Sequence, residues 1–337
     1  MKKNVFLYCG LALVSLAACS PKGEKAMTSE DTSKVVNVIF DTDMGPDYDD
    51  IGAIAMLHAL ADSGECEILA TVASDGHPSI APTIEVFNTY FGRPDIPVGK
   101  AVSGAPDETA VNGWNDSLVN IYGKGLVGKR YEDAVAVYRK VLAEQPDNSV
   151  TIITVGFLSN IDALLESRPD DISSLSGMDL VKAKVNKLVS MAGVFPEGKE
   201  FNVFKDAKAS VNTFAKWPKP ILFSGFEIGE KIMTGDKVAA RGKGDPVSDG
   251  YILNLNAYTN QVVNKRNSWD QTAVLVGIRD PEQYFYVNGP GKFTVDSEGN
   301  NIWNANIDGE QYFLVHKYPY HQIEDVVEGL MLHQPRP

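Results

Sequence analysis

The chain is predicted to be α/β, a mostly parallel sheet with helices on both faces and a small antiparallel hairpin near the C-terminus. Three observations predict it. From residue 35 onward, short β-branched runs alternate with segments of helical period, the pattern of βαβ units. The runs are rich in Val and Ile, as strands covered on both faces must be. Only the last stretch departs from this, with aromatic-rich runs broken by Gly and Asn.

In order, "VVNVIF" reads as the first strand and "DDIGAIAMLHALADSG" as the helix after it. "CEILATVAS" then gives a strand and "IAPTIEVFNTYFG" a helix. The alternation continues through "YEDAVAVYRKVLAEQ" (helix), "SVTIITVGF" (strand), "SNIDALLESRP" (helix), and the strands "VNKLVSMAG" and "PILFSGF". Residues 235–250, "GDKVAARGKGDPVSDG", are polar and read as a long surface loop before helical sequence resumes at "YILNLNAYTNQ". "YFYVNGPGKFTVDSEGNNIW" and "GEQYFLVHKY" supply the antiparallel hairpin at one edge. Ligands of an open parallel sheet bind beyond the carboxyl ends of its strands. The polar clusters "DTDMGPDYDD", "SDGH", "VGFLSN" and "AGVFPEGKEFN" all follow strands, so they are expected at one site.

The first residues are read separately. "MKKNVFLYCGLALVSLAACS" has Lys2 and Lys3, then an apolar stretch, then Leu16-Ala17-Ala18-Cys19, which is the layout of an export signal. The stretch is shorter than the ~20 residues that span a bilayer. "LAAC" resembles the lipobox of bacterial lipoproteins, which implies a signal peptide over 1–18, lipidation of Cys19 and a membrane anchor. The alternative is a plain cleaved signal in which Cys19 is incidental. Residues 19–34 then form a flexible tether and 35–337 a single catalytic domain. The expected location is the periplasm-facing or outer surface of a bacterial cell. Loss of Cys9 and modification of Cys19 would leave Cys66 as the one free thiol, so no internal disulfide is expected. The net charge of −13, made more negative by removal of two lysines, argues against nucleic acid as a partner. A homo-oligomer is compatible with the sequence.

Residues 41–50 hold five aspartates where the chain must turn from strand to helix. An EF-hand loop starting at Asp41 needs Gly at its sixth position and Glu at its twelfth, but Pro46 and Gly52 stand there. A phosphatase with an Asp-x-Asp nucleophile is disfavoured by Gly45. Asp49 or Asp50 capping the following helix explains one carboxylate and the helix dipole a second, but not five. Carboxylates this crowded repel each other unless a cation sits among them, and hard oxygen ligands in an irregular loop suit Ca²⁺.

"DTDMGPDYDD", "VGFLSNI", "MAGVFPEGKEFNVFKDAKAS" and "SWDQTAVL", in that order, resemble the motifs of the inosine-uridine-preferring nucleoside hydrolase family. The first matches the family's Asp-x-Asp-x-Gly-x-Asp-Asp run with two extra residues before the last pair. The resemblance implies hydrolysis of the N-glycosidic bond of a ribonucleoside. It also implies a Ca²⁺ held by Asp43, Asp50, the main-chain oxygen of Val155 and Asp270. Glu200 and Asn202 would bind ribose hydroxyls, Asp49 another, and Asn88 would support the site. The chemistry demands stabilisation of an oxocarbenium-like sugar and an activated water, for which Asp43 is the expected base. For Asp270 the competing reading is a helix cap, for Asn88 a packing contact, and for Glu200 and Asn202 an exposed loop.

Where purine-preferring members carry a histidine before the late aspartate, this chain has Trp269, which cannot donate a proton as an acid but can stack on a base. His77, at a strand end, is then the best substitute acid. Tyr48 and Trp114 are further candidates for the base pocket, with core packing the alternative, and Asp47 has no assigned role. Trp269 also keeps open a non-catalytic nucleoside- or pentose-binding lipoprotein.

Overall fold

The computed structural model of the chain describes residues 1, 35–108, 110–257, 264–317 and 319–335. The expected signal peptide, Cys19 and the tether lie outside the described residues. Strands, in chain order, are β1 (Val36–Thr42), β2 (Cys66–Ala73), β3 (Val98–Lys100), β4 (Glu132–Asp133), β5 (Val150–Thr154), β6 (Val185–Met191) and β7 (Glu197–Gly198). They continue with β8 (Ile221–Ser224), β9 (Met233–Thr234), β10 (Arg266–Asn267), β11 (Phe285–Val295), β12 (Asn301–Ala305) and β13 (Gln311–His316). Eleven of them form one sheet in the order β4-β3-β2-β1-β5-β6-β8-β13-β11-β12-β7. From β4 to β13 every neighbour is parallel.

The period-two geometry of these strands divides the core between two faces. Val38 and Phe40 of β1 join one apolar cluster, and Ile39 between them joins the other. In β5 and β6 the same split puts Ile153 and Val189 on the first face and Ile152 and Leu188 on the second. The first face carries the helix Asp49–Asp62, whose residues 49–60 are all buried. It is hydrophobic nearly all round because it is wedged under the helices Trp269–Ile278 and Tyr320–Met331. The second face is covered by helices including Ala134–Glu144 and Ser159–Glu166.

The aromatic C-terminal stretch is more than an appended hairpin. β11 and β12 pair antiparallel, as expected, but β13 pairs parallel with β8 and antiparallel with β11, so it joins the hairpin to the main sheet. β7 then closes the edge against β12, and β9 and β10 form a separate antiparallel pair. The expected surface loop at 235–250 is instead partly helical, over Asp236–Ala240 and Pro246–Ala257. Val238 and Val247 are fully buried there, and two apolar anchors suffice to dock a polar segment. Cys66 is the one free cysteine among the described residues, and burial pushes its thiol up to about 12.

Candidate active site

The chain winds from β1 outward through β2, β3 and β4 on one side, then returns to place β5, β6 and β8 on the other. The order therefore reverses between β1 and β5, and a crevice opens beyond their carboxyl ends. Asp43 follows β1 there, Val155 follows β5, and Met191 ends β6; all three line a cavity of about 210 Å³. Gly156 makes the close approach possible. A Cβ on it would lie 2.4 Å from the Asp43 amide nitrogen and 2.5 Å from Ser74 Oγ.

The loop after β1 is held by its own side chains. Met44 adopts φ 48°, a left-handed conformation uncommon for a residue with a side chain. Its amide donates to Thr42 Oγ1 at 2.9 Å and to Asp50 Oδ1 at 3.1 Å. Thr42 also donates its hydroxyl to Asp50 Oδ1. Asp50 is fully buried behind the cavity wall, and its Oδ2 has no hydrogen-bond partner.

Asp49 and Asp50 are the first residues of their helix rather than its cap. Asp49 instead reaches across the fold: its Oδ2 accepts from the amides of Trp269 and Asp270, at 3.0 and 3.1 Å. The first turn of the helix Trp269–Ile278 is thus capped by a residue 220 positions earlier. Asp270 does not cap it, and its carboxylate lines the cavity.

Glu200 and Asn202 are buried, not exposed. Glu200 caps the short helix Phe201–Lys205, accepting from the amides of Asn202 (2.8 Å), Val203 (3.2 Å) and Gly193 (3.3 Å). The Asn202 amide group donates to the carbonyls of Val155 and Met191, each at 3.3 Å. Both residues line the cavity.

Burial and mutual repulsion raise these acids. Asp43 is held well above the usual carboxylate range by burial and then by the charges of Asp50 and Asp47. Burial, then Asp49 and Asp50, do the same to Asp270. Burial and Asp47 lift Asp50 to about 7, burial lifts Asp41 to about 7 against its hydrogen bonds, and burial with a smaller push from Asp47 lifts Glu200 to about 7 against its own. Asp41 stands behind the loop, bonded by Tyr138 Oη at 2.8 Å and Asn160 Nδ2 at 3.1 Å.

Among the described residues no group of three or more His, Cys, Asp or Glu stands ready to hold a metal ion. The donor chemistry nonetheless fits a hard cation. Asp50 Oδ2 is a buried oxygen with no proton donor, and the acids around it are destabilised as anions by one another.

Two expected residues are not brought to the cavity. His77 lines a separate cavity beyond β2 and β3, where its amide donates to Asp75 Oδ1 at 2.7 Å. Asn88 lies in the helix Ile80–Tyr90, donating to Thr71 Oγ1 at 2.8 Å and bonded to His58 Nε2 at 3.1 Å. Both follow β2 in sequence, and β2 lies on the far side of β1 from β5. Tyr48 and Trp114 are wholly buried core residues.

Trp269 does line the cavity, half-buried and stacked on Phe226 with ring centroids 5.2 Å apart. Its Nε1–H donates to Phe226 O at 2.7 Å. Asp47 finds its partner here: it is ion-paired with Arg266, whose guanidinium lies 5.0 Å from the Trp269 ring and 5.3 Å from the Tyr48 ring. Arg266, Phe226, Phe201 and Met191 are cavity residues the sequence reading missed. Arg266 sits three residues before Trp269, but nothing in that spacing announces a pairing with Asp47 more than two hundred residues away.

The cavity is thus a carboxylate-walled crevice with an aromatic wall at the switch point of a parallel α/β sheet, the place where enzymes of this architecture bind small ligands. The chain matches the profile of the inosine-uridine preferring nucleoside hydrolases over residues 38–308, and it belongs to that family. Three solved structures share the fold. A plant nucleoside hydrolase is 18% identical (TM-score 0.67, covering 88% of this chain and 98% of that one). A purine-preferring ribonucleoside hydrolase from Gardnerella vaginalis is 19% identical (TM-score 0.66, covering 88% and 99%). An inosine-uridine preferring nucleoside hydrolase from Bacillus anthracis is 16% identical (TM-score 0.65, covering 88% and 99%). No curated protein matches the chain.

Proposed function

We propose that the protein is a calcium-dependent ribonucleoside hydrolase that releases free base and ribose, anchored by lipid at Cys19 on a periplasm-facing or cell-surface membrane. The observation that carries the calcium reading is the buried, unpartnered Asp50 Oδ2 beside Asp43 and Asp270. Asp43, Asp50, Asp270 and the Val155 carbonyl are the groups that would hold the ion. Bound there, calcium would supply positive charge that eases deprotonation of water and anchors vicinal ribose hydroxyls.

The chain's own residues do the rest. As the C1′–N bond breaks, its electron pair leaves with the base and a water oxygen bonds to C1′. Asp43 takes that water's proton, and a carboxylate held above its usual range by burial is the stronger base for it. Asn202, Glu200 and Asp49 line the cavity where the ribose hydroxyls would sit. Asn202 and Glu200 are held rigid by their main-chain bonds, so ordering them costs little on binding. Trp269 offers its ring face to the base. The anchor rests on Leu16-Ala17-Ala18-Cys19 and the polar segment behind it.

The test is reducing-sugar release from a panel of ribonucleosides and their 2′-deoxy counterparts, with and without chelator. Ribonucleosides should be cleaved roughly a hundredfold or more faster, because a site built to bond the hydroxyl leaves polar groups unpaired without it. Chelation and Asp43→Ala should each abolish release. Release that survives both contradicts the mechanism, and tight ribose binding without turnover would favour a binding protein.

A further inference from the structure

Breaking a bond to a nucleobase leaves negative charge on the base, and something must stabilise it. His77 does not reach the cavity, and Trp269 commits its one donor to Phe226 O. Among the described residues lining the cavity, Arg266 is the one cation.

We infer that Arg266 stabilises the departing base, hydrogen-bonding a ring nitrogen or an exocyclic carbonyl oxygen as charge spreads onto it; this rests on the ribonucleoside-hydrolase reading above. A guanidinium stays protonated, so it acts by charge and hydrogen bonding and transfers no proton. The electron pair of the C1′–N bond passes to the base, Arg266 shields it there, and solvent later supplies the base's proton. Asp43 receives the proton of the attacking water, so charge balances across the step.

The geometry suits this role. Arg266 is on the short strand β10, its side chain is 12% exposed, and its guanidinium packs on the rings of Trp269 and Tyr48. The ion pair with Asp47 fixes it from the loop that also carries Asp43, and Asp49 Oδ1, at the start of the following helix, lies 3.8 Å from its Nε. A donor held in place before charge develops needs no reorganisation in the reaction, which is where such groups have their largest effect. The same contacts hold a cation and an aromatic ring together on one wall, suited to a flat, charge-accepting ring. Asp47, the acid with no role in the sequence reading, becomes the positioning residue for Arg266.

The test compares two substrates of the purified protein, a ribonucleoside and 4-nitrophenyl β-D-ribofuranoside, whose phenolate departs without help. Arg266→Gln is expected to lower kcat/KM on the ribonucleoside about 10²- to 10³-fold, the usual cost of removing one such donor, and far less on the aryl riboside. Arg266→Lys, which keeps the charge, should fall between and carries the same comparison should the Gln variant fail to fold. Equal losses on both substrates, or no loss on the ribonucleoside, overturn the inference. If the wild-type protein cleaves neither substrate, the hydrolase reading itself fails. If it cleaves both and substitution leaves their ratio unmoved, only the role of Arg266 fails.

Discussion

The Glu200 carboxylate accepts from three buried amides, so its oxygens are structural before they are catalytic. Glu200→Ala would strand those donors, at a cost of about 2–4 kcal/mol in chemical denaturation, whereas Glu200→Gln keeps an acceptor and should cost less than half of that. A small effect of the Ala variant would show that the capping bonds carry little. His58 is a second buried polar group with a measurable signature. Burial, then the Arg93 charge, lowers it from 6.5 to about 3, so it is neutral in the fold at neutral pH. The unfolded chain binds that proton below 6.5 and the folded one only near 3. Its contribution to stability is therefore present above 6.5 and lost as pH falls toward 3. Relative to His58→Gln, the wild-type protein should lose on the order of 2 kcal/mol between about pH 7.5 and pH 5. Parallel pH profiles for the two proteins would contradict it. The sequence showed neither role, because a residue type does not disclose which amides or helices will stand beside it.

Short elements set the site, and each depends on a residue too small to obstruct. The strand-to-helix turns after β1 and β5 meet at Gly156, where a Cβ would strike the Asp43 backbone, which cannot swing aside as a flexible side chain can. Gly156→Ala should therefore displace Asp43 and lower kcat/KM on a ribonucleoside about tenfold to a hundredfold with the fold retained, since small misplacements of reacting groups are costly. Activity at the wild-type level in that variant would mean that the loop accommodates the shift. Gly229 plays a similar part where the helix Phe226–Glu230 docks on the Trp269 backbone, 2.3 Å from where its Cβ would be. The element pattern was legible in the sequence, because Val- and Ile-rich strands and helical segments separate cleanly by period. The cap of the helix Trp269–Ile278 was not. Asp270 is local to that helix and made the natural candidate, but Asp49 holds the amides from across the fold.

Across the whole molecule, topology decides which of the candidate residues meet and which do not. Asp43, Asp49, Val155, Glu200, Asn202, Trp269 and Asp270 follow strands near the switch point or reach back to it, and they line one cavity. Strand order is not visible in a single sequence, so His77 and Asn88, after β2, were grouped with them although β2 lies to the other side of β1. The switch point gathers acids whose folded pKa values stand above their unfolded ones. The folded protein therefore binds protons there that the unfolded chain releases. Stability from Asp41, Asp50 and Glu200 is fully present below about pH 4 and lost as pH rises through about 7, and Asp43 and Asp270 shift in the same direction. Cation-free protein should lose thermal stability in that interval, and calcium should restore it; a melting temperature indifferent to calcium at about pH 8 would count against the site. Cation and protons compete for the same oxygens, so calorimetric titration of chelator-treated protein with calcium reads the proposed ion site itself. One site is expected, bound about tenfold or more tightly at pH 8 than at pH 6, and lost in Asp50→Asn. Absence of binding, or binding that Asp50→Asn leaves intact, would contradict it.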